Sequence, residues 1–307
     1  MIMVMLNYVM ICFIFGTTFL AIKVGIEAGA DPLLSAGLRF FLAGFLVVLY
    51  FAFRKKLVLS LFWSKQLILI SFCLTAMTFA TLYWAEQYIT SGLAAVLSAF
   101  GPVMVFLLHI RQSKEKMNAQ QAAGLLLGMI GVLLISSPSL DQGVSIYWIP
   151  ATAAVIFGQW FYSVGAVKSK SFLKEKPDIS PFLINGIQMT IGGVLLLMFS
   201  AVWERPSFTS LALADVQVSL LYLIFIGSIA GHGLFYWLVN KTNPFFPSTW
   251  LYVSPVIAVS LGAVLLDEHI TTSTAIGAVS VIIGVFLVNK QTLMKAWKEG
   301  ILLRKVE

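Results

Sequence analysis

Charge is what this sequence has least of. Of its 307 residues, 11% are Asp, Glu, Lys or Arg, less than half of the roughly 25% usual in a soluble globular domain. With 59% hydrophobic residues and a mean hydropathy of +0.93, a water-soluble globule is excluded. Cysteine is scarce as well. Cys12 and Cys73 stand apart, without CxxC or metal-ligand spacing, so neither a disulfide scaffold nor a zinc module is written here. The three histidines, His109, His232 and His269, are scattered. No HExxH helix, carboxylate–histidine cluster, nucleophile–base pair or Walker A loop accompanies them, which argues against an enzyme or an ATPase and calls for no metal or cofactor. No segment alternates apolar and polar residues as a barrel strand does, so a β-barrel is excluded. Met1 to Asn7 carries no Lys or Arg, and the apolar run reaches Ile26, so this first run is expected to be a helix and not a signal peptide.

What the chain does have is a series of long apolar runs. A bilayer core about 30 Å thick needs roughly 17–25 apolar residues per helix, and lipid leaves the backbone no hydrogen-bonding partner outside a helix. Ten candidate spans follow, at about 5–26, 33–53, 66–85, 91–110, 121–137, 147–167, 179–203, 216–238, 246–266 and 272–289. With the N-terminus inside, 17 of the 20 Lys and Arg fall in cytoplasmic segments and only Arg205 in an outer loop, the asymmetry expected of a polytopic protein. Both ends are then cytoplasmic. The net charge of +7 is this positive-inside signature and does not point to nucleic acid. Leu293, Trp297 and Ile301, four apart among lysines, suit an interfacial helix on the cytoplasmic leaflet as well as they suit a solvated tail.

An internal repeat is the most informative pattern. Shifted by 153, Tyr83 to Ile135 lies on Tyr236 to Val288 without a gap, bringing Tyr83-Trp84 onto Tyr236-Trp237, Pro102 onto Pro255, Glu115 onto Glu268 and Gly124 onto Gly277. Upstream, Ile14-Phe15-Gly16 and Phe19 match Ile156-Phe157-Gly158 and Phe161, while Pro32, Gly37 and Gly44 match Pro181, Gly186 and Gly193. Five spans per repeat is an odd number, so the halves must have opposite orientation. The loop Arg111–Lys116 is accordingly basic, and its counterpart Asp267-Glu268-His269 acidic. Inverted repeats are a common way to build two related conformations around a midplane site. The predicted fold is thus an all-α integral membrane protein of ten transmembrane helices in two inverted five-helix repeats, 1–138 and 147–289, followed by a basic cytoplasmic tail, 290–307.

These residues resemble the EamA-type transporters of the drug/metabolite transporter superfamily. The resemblance runs through Ile14–Lys23, Leu38-Arg39-Phe40, Trp84–Val96, Pro102, Pro255 and Leu266-Asp-Glu-His-Ile-Thr271, and covers nearly the whole chain. The first-half loop Ser113–Asn118 keeps a Glu but lacks the family's Gly. The resemblance implies a secondary transporter in a bacterial plasma membrane, an exporter or permease. It would carry a small molecule such as an amino acid, related metabolite or amphiphilic drug, by alternating access around a central cavity. A membrane-embedded enzyme, a passive channel and a lipid scramblase are the alternatives; coupling ion and oligomeric state stay open.

Polar and ionisable groups inside spans are the candidate site, because lipid tolerates them only when they face a cavity or a partner. Lys23, Arg39 and Glu86 share one end of the first three spans and are expected to form a charged cluster in the outer part of the cavity, with snorkelling as the alternative. One carboxylate between two cations leaves one positive charge for a substrate carboxylate. His232, between Gly231 and Gly233, fits a proton relay or a hydrogen bond in a packed interface. Phe15, Phe19 and Lys23 recur at i, i+4 and i+8 on one helix face. With Tyr83, Trp84, Gln159, Phe161, Gln188, Tyr236, Trp250 and Tyr252 they make an aromatic, polar-tipped binding set, though Trp84 also suits an interfacial belt. Pro102 and Pro255 each remove a backbone hydrogen bond at matching depths and are candidate hinges.

Overall fold

The computed structural model describes residues 2–113, 117–136, 146–204, 206, 208–265 and 271–304. Among them the chain is helical throughout, with no strand, and ten long helices follow one another: α1 (Ile2–Glu27), α2 (Pro32–Phe53), α3 (Lys65–Ala85), α4 (Ser91–Gln112), α5 (Ala119–Ser136), α6 (Trp148–Glu175), α7 (Pro181–Trp203), α8 (Ala214–Lys241), α9 (Trp250–Leu265) and α10 (Thr272–Arg304). Six of them, α1–α4, α7 and α8, are long and apolar enough to cross a membrane, and α5 and α10 contain shorter apolar stretches. The expectations placed on Lys114, Glu115, Lys116, Arg205 and residues 266–270 lie outside the described residues, as do the side chains of Leu293, Trp297 and Ile301. The backbone of α10 runs as helix through Lys290 to Arg304.

Local chemistry sets the helix ends. Pro32 and Pro181 are the first residues of α2 and α7, where a missing N–H costs nothing and the fixed φ favours the helix. The Glu204 carboxylate, at the end of α7, accepts the amides of Leu33 and Leu34 at 2.6 and 2.9 Å, filling orphan donors and facing the positive end of α2. Thr90 caps α4 by accepting the Leu93 amide at 3.2 Å. Gly29, at φ +97°, turns the chain from α1 to α2 in a conformation L side chains avoid.

Two helix pairs pack through glycines, backbone against backbone. Along α2 and α7, Gly37 faces Leu197, Phe41 faces Gly193, and Gly44 faces Thr190 and Gly186. Along α5 and α10, Gly124 faces Val288, Gly131 faces Gly277 and Val281, and Gly284 faces Gly128. Numbers rise on one helix as they fall on the other, so both pairs are antiparallel. Small residues let such backbones approach where lipid offers no hydrophobic drive between helices. The rest of the bundle is organised in the same matched way: α1 packs on α8 and α9, and α6 on α3 and α4. Two stretches of wide π-helical turn interrupt α3 at Phe72–Met77 and α8 at Leu223–His232. They fall at corresponding positions in the 153-residue frame, and each has a buried side, with Leu74 and Thr75 in the first and Gly227 and Ser228 in the second.

Candidate functional site

A narrow, partly open cavity lies at the junction of α1, α2, α3, α4, α6, α8 and α9. Its walls are mostly aromatic and aliphatic: Phe15 and Phe19 from α1, Leu74, Phe79 and Leu82 from α3, Phe235 from α8, Trp250 and Leu251 from α9. Polar atoms enter at few points, from Thr18, Arg39, Thr78, Ser98, Gln159, Tyr162 and His232. Arg39 is the only ionised side chain among these lining residues, and no carboxylate joins it.

The wide turn in α3 brings Leu74 and Thr78 to the cavity, with the Thr78 hydroxyl donating to the Cys73 carbonyl at 2.8 Å. The one in α8 ends on His232. Such turns appear often where a helix must aim a side chain at a site. Pro102 stands three residues after the break at Ala99 in α4, and Pro255 stands inside α9 after the break at Thr249.

Arg39 is 1% exposed, so its charge must be met from inside. Its Nε donates to Ser228 Oγ at 2.9 Å and its Nη1 to the Tyr83 hydroxyl at 3.2 Å. The guanidinium carbon lies 4.6 Å from the Phe40 ring centroid and 5.2 Å from that of Phe79. Each cation–π contact contributes roughly 0.5–2 kcal/mol according to desolvation, which offsets much of the roughly 2.5–3.5 kcal/mol cost of a cation in a span. His232 sits among rings, edge-on to Phe15 and Phe40 at 5.1 and 5.4 Å. Gln159 donates to Ser98 Oγ at 3.3 Å while its carbonyl oxygen is buried without a partner.

Six residues singled out from the sequence therefore meet in the cavity wall: Phe15, Phe19, Arg39, Gln159, His232 and Trp250. Tyr83 stands behind it as a partner of Arg39. Lys23 reaches the same end of the bundle, but its ammonium donates to the backbone carbonyls of Glu86 and Ile89, at 2.7 and 3.3 Å, and lies 3.6 Å from the Glu27 carboxylate. The Glu86 carboxyl is fully buried, and both its oxygens lack a hydrogen-bond partner. Neither residue is part of the cavity wall.

The other residues of the set are spread around the bundle. Trp84 lines a separate open crevice with Asp31, Trp203 and Glu204. Phe161 packs edge-on against Phe72 and Phe157. Gln188 donates to Thr75 Oγ1 in the packing between α7 and α3. Tyr236 is buried against Phe235, and the Tyr252 ring is buried beside Gly128 of α5. Sequence reasoning missed Thr18, Thr78, Phe79, Ser98 and Tyr162. Thr18 lies three residues after Phe15, and Tyr162 three after Gln159, so helical spacing from residues already chosen was the available signal.

The sequence profile of the EamA-like transporter family matches this chain twice, over residues 2–137 and 148–290. A Bacillus subtilis protein described as "Uncharacterized transporter YoaV" is 28% identical over 94% of this chain and 97% of its own length. An Escherichia coli protein described as "Probable amino-acid metabolite efflux pump" is 27% identical over 89% of this chain and 90% of its own. One solved crystal structure, 15% identical, superposes with a TM-score of 0.72 over 94% of this chain and 98% of that one, a likeness of fold.

Proposed function

We propose that this chain, which belongs to the EamA-like transporter family over residues 2–137 and 148–290, moves small amphiphilic solutes bearing a carboxylate, amino acids and related metabolites among them, across a bacterial plasma membrane. It acts as a transporter and not as an enzyme. The observation that carries the substrate class is the lone guanidinium of Arg39 in a cavity otherwise walled by rings and neutral polar groups. A carboxylate meets Arg39 there by a charge-assisted, two-pronged hydrogen bond. The apolar part of the solute lies against Phe15, Phe19 and Trp250, and an ammonium group finds the free Gln159 carbonyl oxygen. Cationic amphiphiles have no carboxylate to meet and are disfavoured. Export is the direction favoured by the name of the Escherichia coli relative, although any such carrier follows the gradients it is given.

All ten helices are spans in this reading, with both termini cytoplasmic, as the loop charges require. Residues 1–138 and 147–289 are inverted repeats. The matched contacts support this: the frame that lays Gly124 on Gly277 also lays Val288 on Ile135, and both Gly124–Val288 and Gly277–Ile135 are packed pairs. A contact set that maps onto itself between antiparallel helices is what a twofold axis in the membrane plane produces. The cavity then alternates between the two sides as the halves rock, with Pro102 and Pro255 near the bends. Counterflow of labelled solutes into proteoliposomes tests the function. Exchange of neutral amino acids is expected, with their esters exchanged at weaker affinity and cationic amphiphiles not at all. Exchange of the cations alone would overturn the substrate class.

A further inference from the structure

The Glu86 carboxyl has no role in the wall of the cavity, yet it is among the most enclosed polar groups of the protein, with 0% exposure and no partner for either oxygen. It caps the C-terminal end of the helix that carries Tyr83, one turn back on the same face. The charged and titratable groups around it are few. Lys23 and Arg39 are the cations that act on it. Lys23, from α1, is turned to the Glu86 and Ile89 carbonyls and to Glu27. Arg39, from α2, is turned to Ser228, Tyr83 and two rings. Along α6, Gly158 meets Thr81 and Gly165 meets Leu74, so the part beside Glu86 is the stretch from Trp148 to Phe161, which holds no ionisable residue.

An ionised carboxylate enclosed without a hydrogen bond is strongly unfavourable, and protonation is the cheapest relief. The neutral acid needs no counter-charge, which fits two neighbouring cations that are both engaged elsewhere. We propose that Glu86 is a proton-carrying site. It is held as the neutral acid in this conformation and gives its proton to water when the junction of α1, α3 and α4 opens, its carboxylate then standing beside Lys23 and Arg39. Solute movement is thereby coupled to a pH gradient. The coupling, though not the protonation, rests on the transporter reading above.

Two measurements test it. Infrared spectra of the purified protein at neutral pH should contain a protonated-carboxyl stretch that is missing from Glu86→Gln. In proteoliposomes, a pH step of one unit should hold the labelled solute at up to about a tenfold ratio if one proton moves per solute, and Glu86→Gln should lose that ratio. No such stretch in the wild type, or one that persists in Glu86→Gln, overturns the proposal. So does a variant that concentrates solute as the wild type does. If Glu86→Gln loses exchange altogether, the infrared difference decides alone. A wild type that exchanges no carboxylate solute would sink the transport reading and the coupling with it, while the stretch would still decide whether Glu86 carries the proton.

Discussion

Replacing Arg39 by Gln removes the one charge that the cavity wall offers a solute and keeps a neutral, shorter donor. The native guanidinium holds Ser228 and Tyr83 at 2.9 and 3.2 Å and belongs to the cavity wall. A hydrogen bond to a charged group is worth roughly 1.5–3 kcal/mol net, which is roughly 10- to 160-fold in affinity. Insertion should not suffer, because a glutamine costs less in a span than an arginine. The assay is half-saturation in counterflow for one neutral amino acid and its methyl ester in parallel. Arg39→Gln should weaken the acid by the stated factor and leave the ester, which has no carboxylate, where it was. Arg39→Lys should fall between, because an ammonium keeps the charge and loses the planar fork. Equal weakening of acid and ester in Arg39→Gln would mean that Arg39 shapes the cavity and does not recognise the carboxylate. An unchanged acid would refute its involvement.

Packing, titration and topology give further checks. A methyl added at Gly131 would stand 2.6 Å from the Gly277 carbonyl oxygen, whereas one at Gly92 meets nothing within 4 Å. Gly131→Ala should therefore cost roughly 1–3 kcal/mol by overpacking and lower the melting temperature in detergent. Equal melting of Gly131→Ala and Gly92→Ala would refute the close α5–α10 approach. Lys170, beyond the apolar part of α6, donates to the carbonyls of Val239 and Asn240 at 2.9 and 2.7 Å. Burial, with a smaller push from Lys174, lowers its pKa from 10.5 to about 8. The folded chain then sheds this proton before the unfolded one, so stability rises with pH between about 8 and 10.5. A methyl-lysine NMR titration should place its midpoint near 8, and a midpoint at the ordinary lysine value would contradict the burial. For topology, single cysteines at the exposed positions Gln87 and Asp178, in a background without Cys12 and Cys73, should react oppositely with an impermeant thiol reagent. Gln87→Cys should label in intact cells and Asp178→Cys should not; the reverse would invert the orientation.

Some of this protein could be read from sequence because membranes make strict demands. Apolar length located helices that the structure contains, six of them long and apolar enough to cross a membrane, since a spanning helix needs roughly 17–25 apolar residues and lipid satisfies the backbone only in a helix or a closed barrel. Family membership was legible because Tyr83-Trp84, Pro102 and the glycines recur in order, and the glycines recur because backbone contact tolerates no larger residue at those crossings. The cavity was half legible. In a soluble helix, hydrophobic periodicity separates the inner face from the outer. Here both faces are apolar, so Phe79, which lines the cavity, and Phe161, which packs against Phe72, look alike in sequence. Trp84 carries the same ambiguity, being equally at home in a cavity wall or in the separate open crevice it lines. The charged residues show a deeper obstacle. Pairing Lys23 with Glu86 by opposite charge assumes that side chains answer side chains. A helix that ends inside the protein also presents carbonyl oxygens carrying partial negative charge, and Lys23 answers those of Glu86 and Ile89. No residue type announces that demand. The unmatched carboxyl that results is visible only once the helix end and its ammonium cap are seen together, and the proton it must hold is the physical consequence.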